Sequence, residues 1–134
     1  TVSLSQISVA AVSGNHAVFI TGRGDTVTLS GGTNTITDTG GTNTYVIPAA
    51  GKGYDTFTSN ILTIGDTLDL RTALAATNWN GSTSTLAKYL SVADNAQGAV
   101  LSIAPTSGGT GVAIATINGA ATATLTSLLA HSIT

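Results

Sequence analysis

The chain has 134 residues, a formal net charge of −2 and only 7% charged residues against 42% apolar ones. One domain of this size can bury a core. Four basic residues leave no footprint for nucleic acid or an anionic membrane, no apolar run is long enough to span a bilayer, and the lack of cysteine excludes disulfides and thiolate metal sites.

All six acidic residues are Asp, and Glu is absent. Long helices carry Glu, Lys and Arg on their wet face, so a mainly all-β body with short helices is expected. The chain does not begin with Met and reads as part of a longer protein. The first repeating unit runs from Asn15 to Gly24. Asp25-Thr-Val-Thr-Leu-Ser-Gly-Gly-Thr follows, then Asn34-Thr-Ile-Thr-Asp-Thr-Gly-Gly-Thr, then Asn43-Thr-Tyr-Val-Ile-Pro. The polar leaders Asp25, Asn34 and Asn43 are nine residues apart, and Asp55-Thr-Phe-Thr resumes the phase after a loop from Pro48 to Tyr54. A polar residue, a Thr, an inward apolar residue and a glycine turn at this period predict one short strand per repeat, stacked as a right-handed parallel β-roll or β-solenoid.

Strand alternation puts Val27, Ile36, Tyr45 and Phe57 in register inside, with Thr26, Thr28, Thr35, Thr37, Thr44, Thr56 and Thr58 outside. Gly31-Gly32 and Gly40-Gly41 supply turns. Asn34 and Asn43 are expected to stack one repeat apart as an amide ladder. This pattern resembles a degenerate form of the RTX nonapeptide β-roll, which binds calcium in its turns. The resemblance lies in the period, the Asp/Asn-Thr-apolar triplet and the glycine-rich turns. It implies calcium at Asp25 or Asp55, or beside Asp66 and Asp69. Asn34 and Asn43 replace the carboxylate in the middle repeats, and an amide is the poorer ligand for a hard cation. No cofactor is therefore required, and calcium is the one that the resemblance admits.

Beyond Asn60 the pattern changes. Gly65-Asp66-Thr67-Leu68-Asp69-Leu70 leads into a short helix near Arg71, with Asp66 read as closing a turn and Asp69 as capping that helix. Leu86 and Leu90 suggest another short helix. "AVLSIAP" and "GVAIATING" read as a β-hairpin turning at Thr106 to Gly111, and Thr124 caps a final helix carrying Leu125, Leu128 and Leu129. This ordered set is similar to the C-terminal target domain of large type I secreted RTX-like proteins. The expected organisation is β-roll repeats over 1–64 and a capping and secretion-target region over 65–134, packed as one unit.

No residue set supplies a nucleophile with a base, a P-loop or a dinucleotide fingerprint, so the chain reads as no enzyme. His131 reads as a helix-end residue. The leading reading is a non-catalytic C-terminal module of a larger secreted, extracellular or cell-surface bacterial protein. Its partners are the rest of its own chain and the type I secretion apparatus, with no nucleic acid and no membrane insertion. The alternative is a carbohydrate-binding module that takes a polysaccharide through Trp79, Tyr54, Asn78 and Asn80. An ice-binding or adhesin surface, suggested by the outward Thr-x-Thr pattern, ranks below both.

Overall fold

Short runs rich in Thr, Val and Ile suit a pleated, half-buried surface, and in this computed structural model they become strands. The structure describes residues 2–4, 9–12 and 14–134. The strands are β1 (Val2–Leu4), β2 (Val9–Val12), β3 (Ala17–Ile20), β4 (Thr26–Leu29), β5 (Gly32–Asp38), β6 (Thr44–Val46), β7 (Gly53–Phe57) and β8 (Thr67–Asp69). After helix α1 (Arg71–Ala75) and a 3-10 turn (Thr83–Lys88) come β9 (Leu90–Asp94), β10 (Gly98–Ile103) and β11 (Val112–Asn118). Helix α2 (Leu125–Leu129) and β12 (Ser132–Ile133) end the chain.

From β1 to β8 the chain alternates between two sheets. One has the order β1-β3-β5-β7-β11-β10-β9 and the other β12-β8-β6-β4-β2, and neither closes on itself. All pairings among β1 to β8 are parallel. Each nine-residue repeat therefore supplies a strand to one sheet, and the next repeat supplies a strand to the other. Val27 pairs with Tyr45, two repeats away, while Ile36 pairs with Val18 and Phe57 in the opposite sheet. The expected single column of Val27, Ile36 and Tyr45 is thus two columns. All three side chains are buried, and they enter the same core from opposite sides. Tyr45 and Phe57 join the sheets directly, with ring centroids 4.9 Å apart in an edge-to-face arrangement, worth about 0.5–1.5 kcal/mol beyond the area they bury.

Residues after Gly65 continue both sheets. β8 pairs with β6 and β12 with β8 in one; β11 pairs in parallel with β7 in the other, setting Ile117 beside Phe57. The expected hairpin is β10 and β11, antiparallel with a bulge at Leu101/Ser102, and β9 adds a third antiparallel strand. Helix α2 carries the expected Thr124 cap in a reciprocal arrangement with Ser127. Leu90 does not extend a helix with Leu86; it opens β9. α1 is capped from two residues before its start, where Asp69 Oδ1 accepts the Arg71 N–H at 3.1 Å. Asp66 closes the expected turn through its backbone, its N–H donating to Ile61 O at 3.3 Å, while its carboxylate reaches back to the Asn43 N–H.

The turns stack as closely as the strands. A Cβ on Gly40 would stand 1.7 Å from the carbonyl oxygen of Gly22, eighteen residues earlier. Gly24, at φ +72, has no atom within 4 Å of such a Cβ. Gly24→Ala should therefore cost only its left-handed backbone, about 1–2 kcal/mol. Gly40→Ala must move one turn off another and should cost at least the ~1–3 kcal/mol of an overpacked core. Urea titration of both variants checks the order. Ile36→Asp, which places a charge between Val18 and Phe57, should leave no cooperative transition at all.

Candidate functional site

The polar leaders of the repeats are buried where the strands begin. Asn43 is the centre of the set on the five-stranded sheet. Its Oδ1 accepts the Asp25 N–H at 2.9 Å, and its own N–H donates to Asp66 Oδ1 at 2.8 Å. Main-chain bonds run beside these, from Thr44 N–H to Asp25 O and from Thr67 N–H to Asn43 O, each 2.8 Å. On the seven-stranded sheet, Asn34 Oδ1 accepts the His16 N–H at 3.2 Å, and Asn34 Nδ2 donates to Asp55 Oδ1 at 2.9 Å. The ladders therefore link residues two repeats apart. Asn34 and Asn43 belong to different ladders, not to one amide stack.

Asp38 is the residue that sequence reasoning missed. It occupies the slot that Leu29 fills one repeat earlier, and it points into the core. Its Oδ1 accepts the N–H groups of Gly40 (2.7 Å) and Gly41 (3.1 Å). Its Oδ2 accepts Asn43 Nδ2 (2.8 Å) and the Tyr45 hydroxyl (2.5 Å). An Asp in an inward alternation position, with a Tyr seven residues on, was the available signal.

These bonds separate the two neighbouring carboxyls chemically. Burial alone would raise the Asp38 pKa, but hydrogen bonds from Tyr45, Asn43, Gly41 and Gly40 outweigh it and hold Asp38 below its usual value. Asp66 receives one such bond. Burial pushes it up to about 7, and the adjacent Asp38 charge adds to the shift. Asp66 Oδ2 is buried with no hydrogen-bond partner, so nothing there offsets the cost of a charge. Below about pH 7, Asp38 thus carries the charge and Asp66 the proton. Asp55, with one unpartnered buried oxygen of its own, is pushed up to about 6 by burial against the Asn34 hydrogen bonds. Burial, then Asp38, raises the Tyr45 phenol well above its usual range.

The carboxylates of the three alternative calcium places lie in different settings. Asp25 and Asp66 flank Asn43, Asp55 lies in the other sheet, and Asp69 pairs with Arg71 at 2.7 Å. The Arg71 guanidinium holds Asp69 below its usual pKa. Calcium takes about six to eight oxygens, and among the described residues no three acidic or histidine side chains gather as a metal group.

Of the carbohydrate candidates, Asn78, Trp79 and Asn80 share one loop. The Trp79 Nε1–H donates to Ser82 O (3.0 Å) and Thr85 Oγ1 (3.1 Å), and its half-buried ring packs on the core. Asn80 Oδ1 accepts the Ser82 N–H, and Asn78 Oδ1 accepts the Tyr89 hydroxyl at 2.8 Å. Tyr54 is not part of that group. It lies on β7, and its hydroxyl shares a hydrogen bond with Thr116 of β11. His131 follows α2, its N–H donating to Leu128 O.

The ladder makes a pH prediction. Asp66 and Asp55 hold protons more tightly folded than unfolded, where Asp titrates near about 3.9. Their contribution is full below about pH 4 and is lost as pH rises through about 6 to 7. Asp38 and Asp69 have lowered pKa values, so their contribution is lost as pH falls below about 4. Thermal melts should give the highest Tm near pH 4–5, with a decline towards about pH 7.5. Asp66→Asn supplies an N–H in place of the proton. It should raise Tm at about pH 8 by ~3–5 °C, the effect of about 1 kcal/mol in a domain of this size, and flatten the decline. A Tm maximum at about pH 8 in the unaltered protein would show Asp66 ionised in the fold.

No protein-family model matches the chain, and neither curated proteins nor solved structures include a match to it.

Proposed function

We propose that the chain is a non-catalytic module of a larger secreted bacterial protein, a short right-handed β-roll sealed by a C-terminal segment that also serves as a type I export target. The supporting observation is the alternation of strands between two parallel sheets, with pairing partners such as Val27 and Tyr45 two nine-residue repeats apart. The right hand follows the general preference of parallel crossovers. The role is structural: the chain passes the exporter unfolded and forms the roll outside the cell. Its partners are the exporter and the rest of its own chain. Asn34 and Asn43 accept the His16 and Asp25 N–H groups through neutral amide oxygens, which supports a middle of the roll held by hydrogen bonds.

Sealing is supported by the way the second half covers the first. β11 occupies the edge that β7 would otherwise expose, and β8 and β12 do the same beyond β6. An open parallel edge over an apolar core is a template for association.

Two experiments test this reading. A chain ending at Asn60 should aggregate or lose its β-type circular dichroism; if it stays monomeric and folded, the remainder is an export tag without a sealing role. Residues 65–134 fused to an unfolded reporter should reach the medium only in cells carrying a type I exporter, and intracellular retention would refute the export role. In a third measurement, millimolar calcium or a chelator should move Tm by less than about 2 °C, since a weak site adds little by mass action.

A further inference from the structure

The outer face of the seven-stranded sheet carries no charged side chain on β3, β5, β7, β10 or β11, because Asp38 and Asp55 point inward and are buried. Its centre is Tyr54. Register places Asp55 beside Ala115 and Thr56 beside Thr116, so Thr116 lies diagonally across from Tyr54. Diagonal neighbours on a sheet face stand about 7–8 Å apart. A tyrosine hydroxyl that reaches such a neighbour forces its ring to lie along the face, and the Tyr54 hydroxyl shares a hydrogen bond with Thr116 Oγ1. Thr116 is correspondingly buried although it points outward, while the Tyr54 ring stays half-exposed. The hydroxyls of Thr33, Thr35 and Thr56 surround it, and among the described residues none is bonded within the protein. Phe19, 42% exposed, stands on the same face two strands away.

We infer that this face is a binding platform for a neutral glycan chain, with the Tyr54 ring stacking on a sugar and the threonine hydroxyls bonding its hydroxyl groups. A pinned ring loses little entropy on binding, and the apolar face of a hexose matches an aromatic surface flanked by donors and acceptors. The absence of charge selects against uronic or sulfated chains. The Tyr54 ring lying across the threonine grid, with the exposed Phe19 two strands away, interrupts the regular hydroxyl lattice that an ice surface would demand, which favours the glycan. The site is independent of the export reading and differs from the Trp79 loop, whose indole N–H is already committed.

The test is native affinity electrophoresis in gels holding hydroxyethylcellulose, xyloglucan, mixed-linkage glucan or soluble starch, with pull-down on cellulose and chitin. At least one neutral polymer should retain the protein, and alginate should not. Tyr54→Ala should weaken retention at least tenfold. Thr56→Lys, a change at an outward side chain that leaves the core untouched, should do the same while circular dichroism and Tm stay those of the unaltered protein. Tyr54→Phe keeps the ring but frees it, and should fall between. Lack of retention on every neutral polymer overturns the proposal. So does loss of binding in Trp79→Phe with Tyr54→Ala unaffected, or adsorption to ice that Thr56→Lys abolishes without any glycan retention.

Discussion

The bond from a backbone N–H at one strand start to a side-chain oxygen two repeats later holds this architecture in register. Asp25 N–H to Asn43, Asn43 N–H to Asp66 and His16 N–H to Asn34 are three instances. A buried N–H without a partner costs about 1–3 kcal/mol, and a parallel sheet whose turns are nearly all glycine has few side chains available to meet it. Only a short residue with a side-chain oxygen can fill the position. Asn and Asp serve equally for this bond, which explains why the repeat can alternate them. The eighteen-residue spacing of Gly22 and Gly40 follows from the same stacking, since the turns must approach as closely as the ladder holds the strands.

Asp38 adds a charge to the interior, and the ladder limits its cost. Four donors converge on it, two of them main-chain N–H groups freed by the glycine turn and one the Tyr45 hydroxyl. Charge-assisted bonds of this kind are the strong ones, and an ion with all its sites filled can stay buried. A second ion beside it could not, and Asp66 takes the proton. Tyr45 thereby serves both halves of the core, its ring against Phe57 and its hydroxyl on Asp38.

Much of this was legible in the residues, and the limits have physical causes. Period and alternation identified the inward side chains correctly because both are local properties of a strand. They could not show that successive repeats face each other across a core, since a nine-residue unit looks the same whether its neighbour stacks beside it or opposite it. The hairpin at β10 and β11 and the Thr124 cap were readable because turn and cap chemistry is encoded within a few residues. The strand character of Ser132–Ile133 was not, because it comes from pairing with β8, distant in sequence, and that of Leu90 was hidden by its four-residue spacing from Leu86, which reads as a helix face. Asp38 could have been read from its place in the Leu29 slot; its neighbour Asp66 could not, because it lies 28 residues and two strands further on.

The placement of the acids also governs how copies of the chain behave towards one another. Asp25, Asp38, Asp55, Asp66 and Asp69 are buried and only Asp94 is exposed, so the surface is threonine, serine, asparagine and glycine with a few scattered charges. When Asp55 and Asp66 both hold protons, the formal charge of −2 is cancelled. A protein near zero net charge has little to keep its copies apart. The acidity that suits the interior therefore removes the outer repulsion, and solubility must rest on the hydration of hydroxyls and on covered sheet edges. That gives β9 and β12, each an edge strand of one of the two sheets, a role besides sealing the core. β12 is only two residues long and β9 carries exposed Ser91, Ala93 and Asp94. A very short strand and one ending in a charge are poor templates for a further strand.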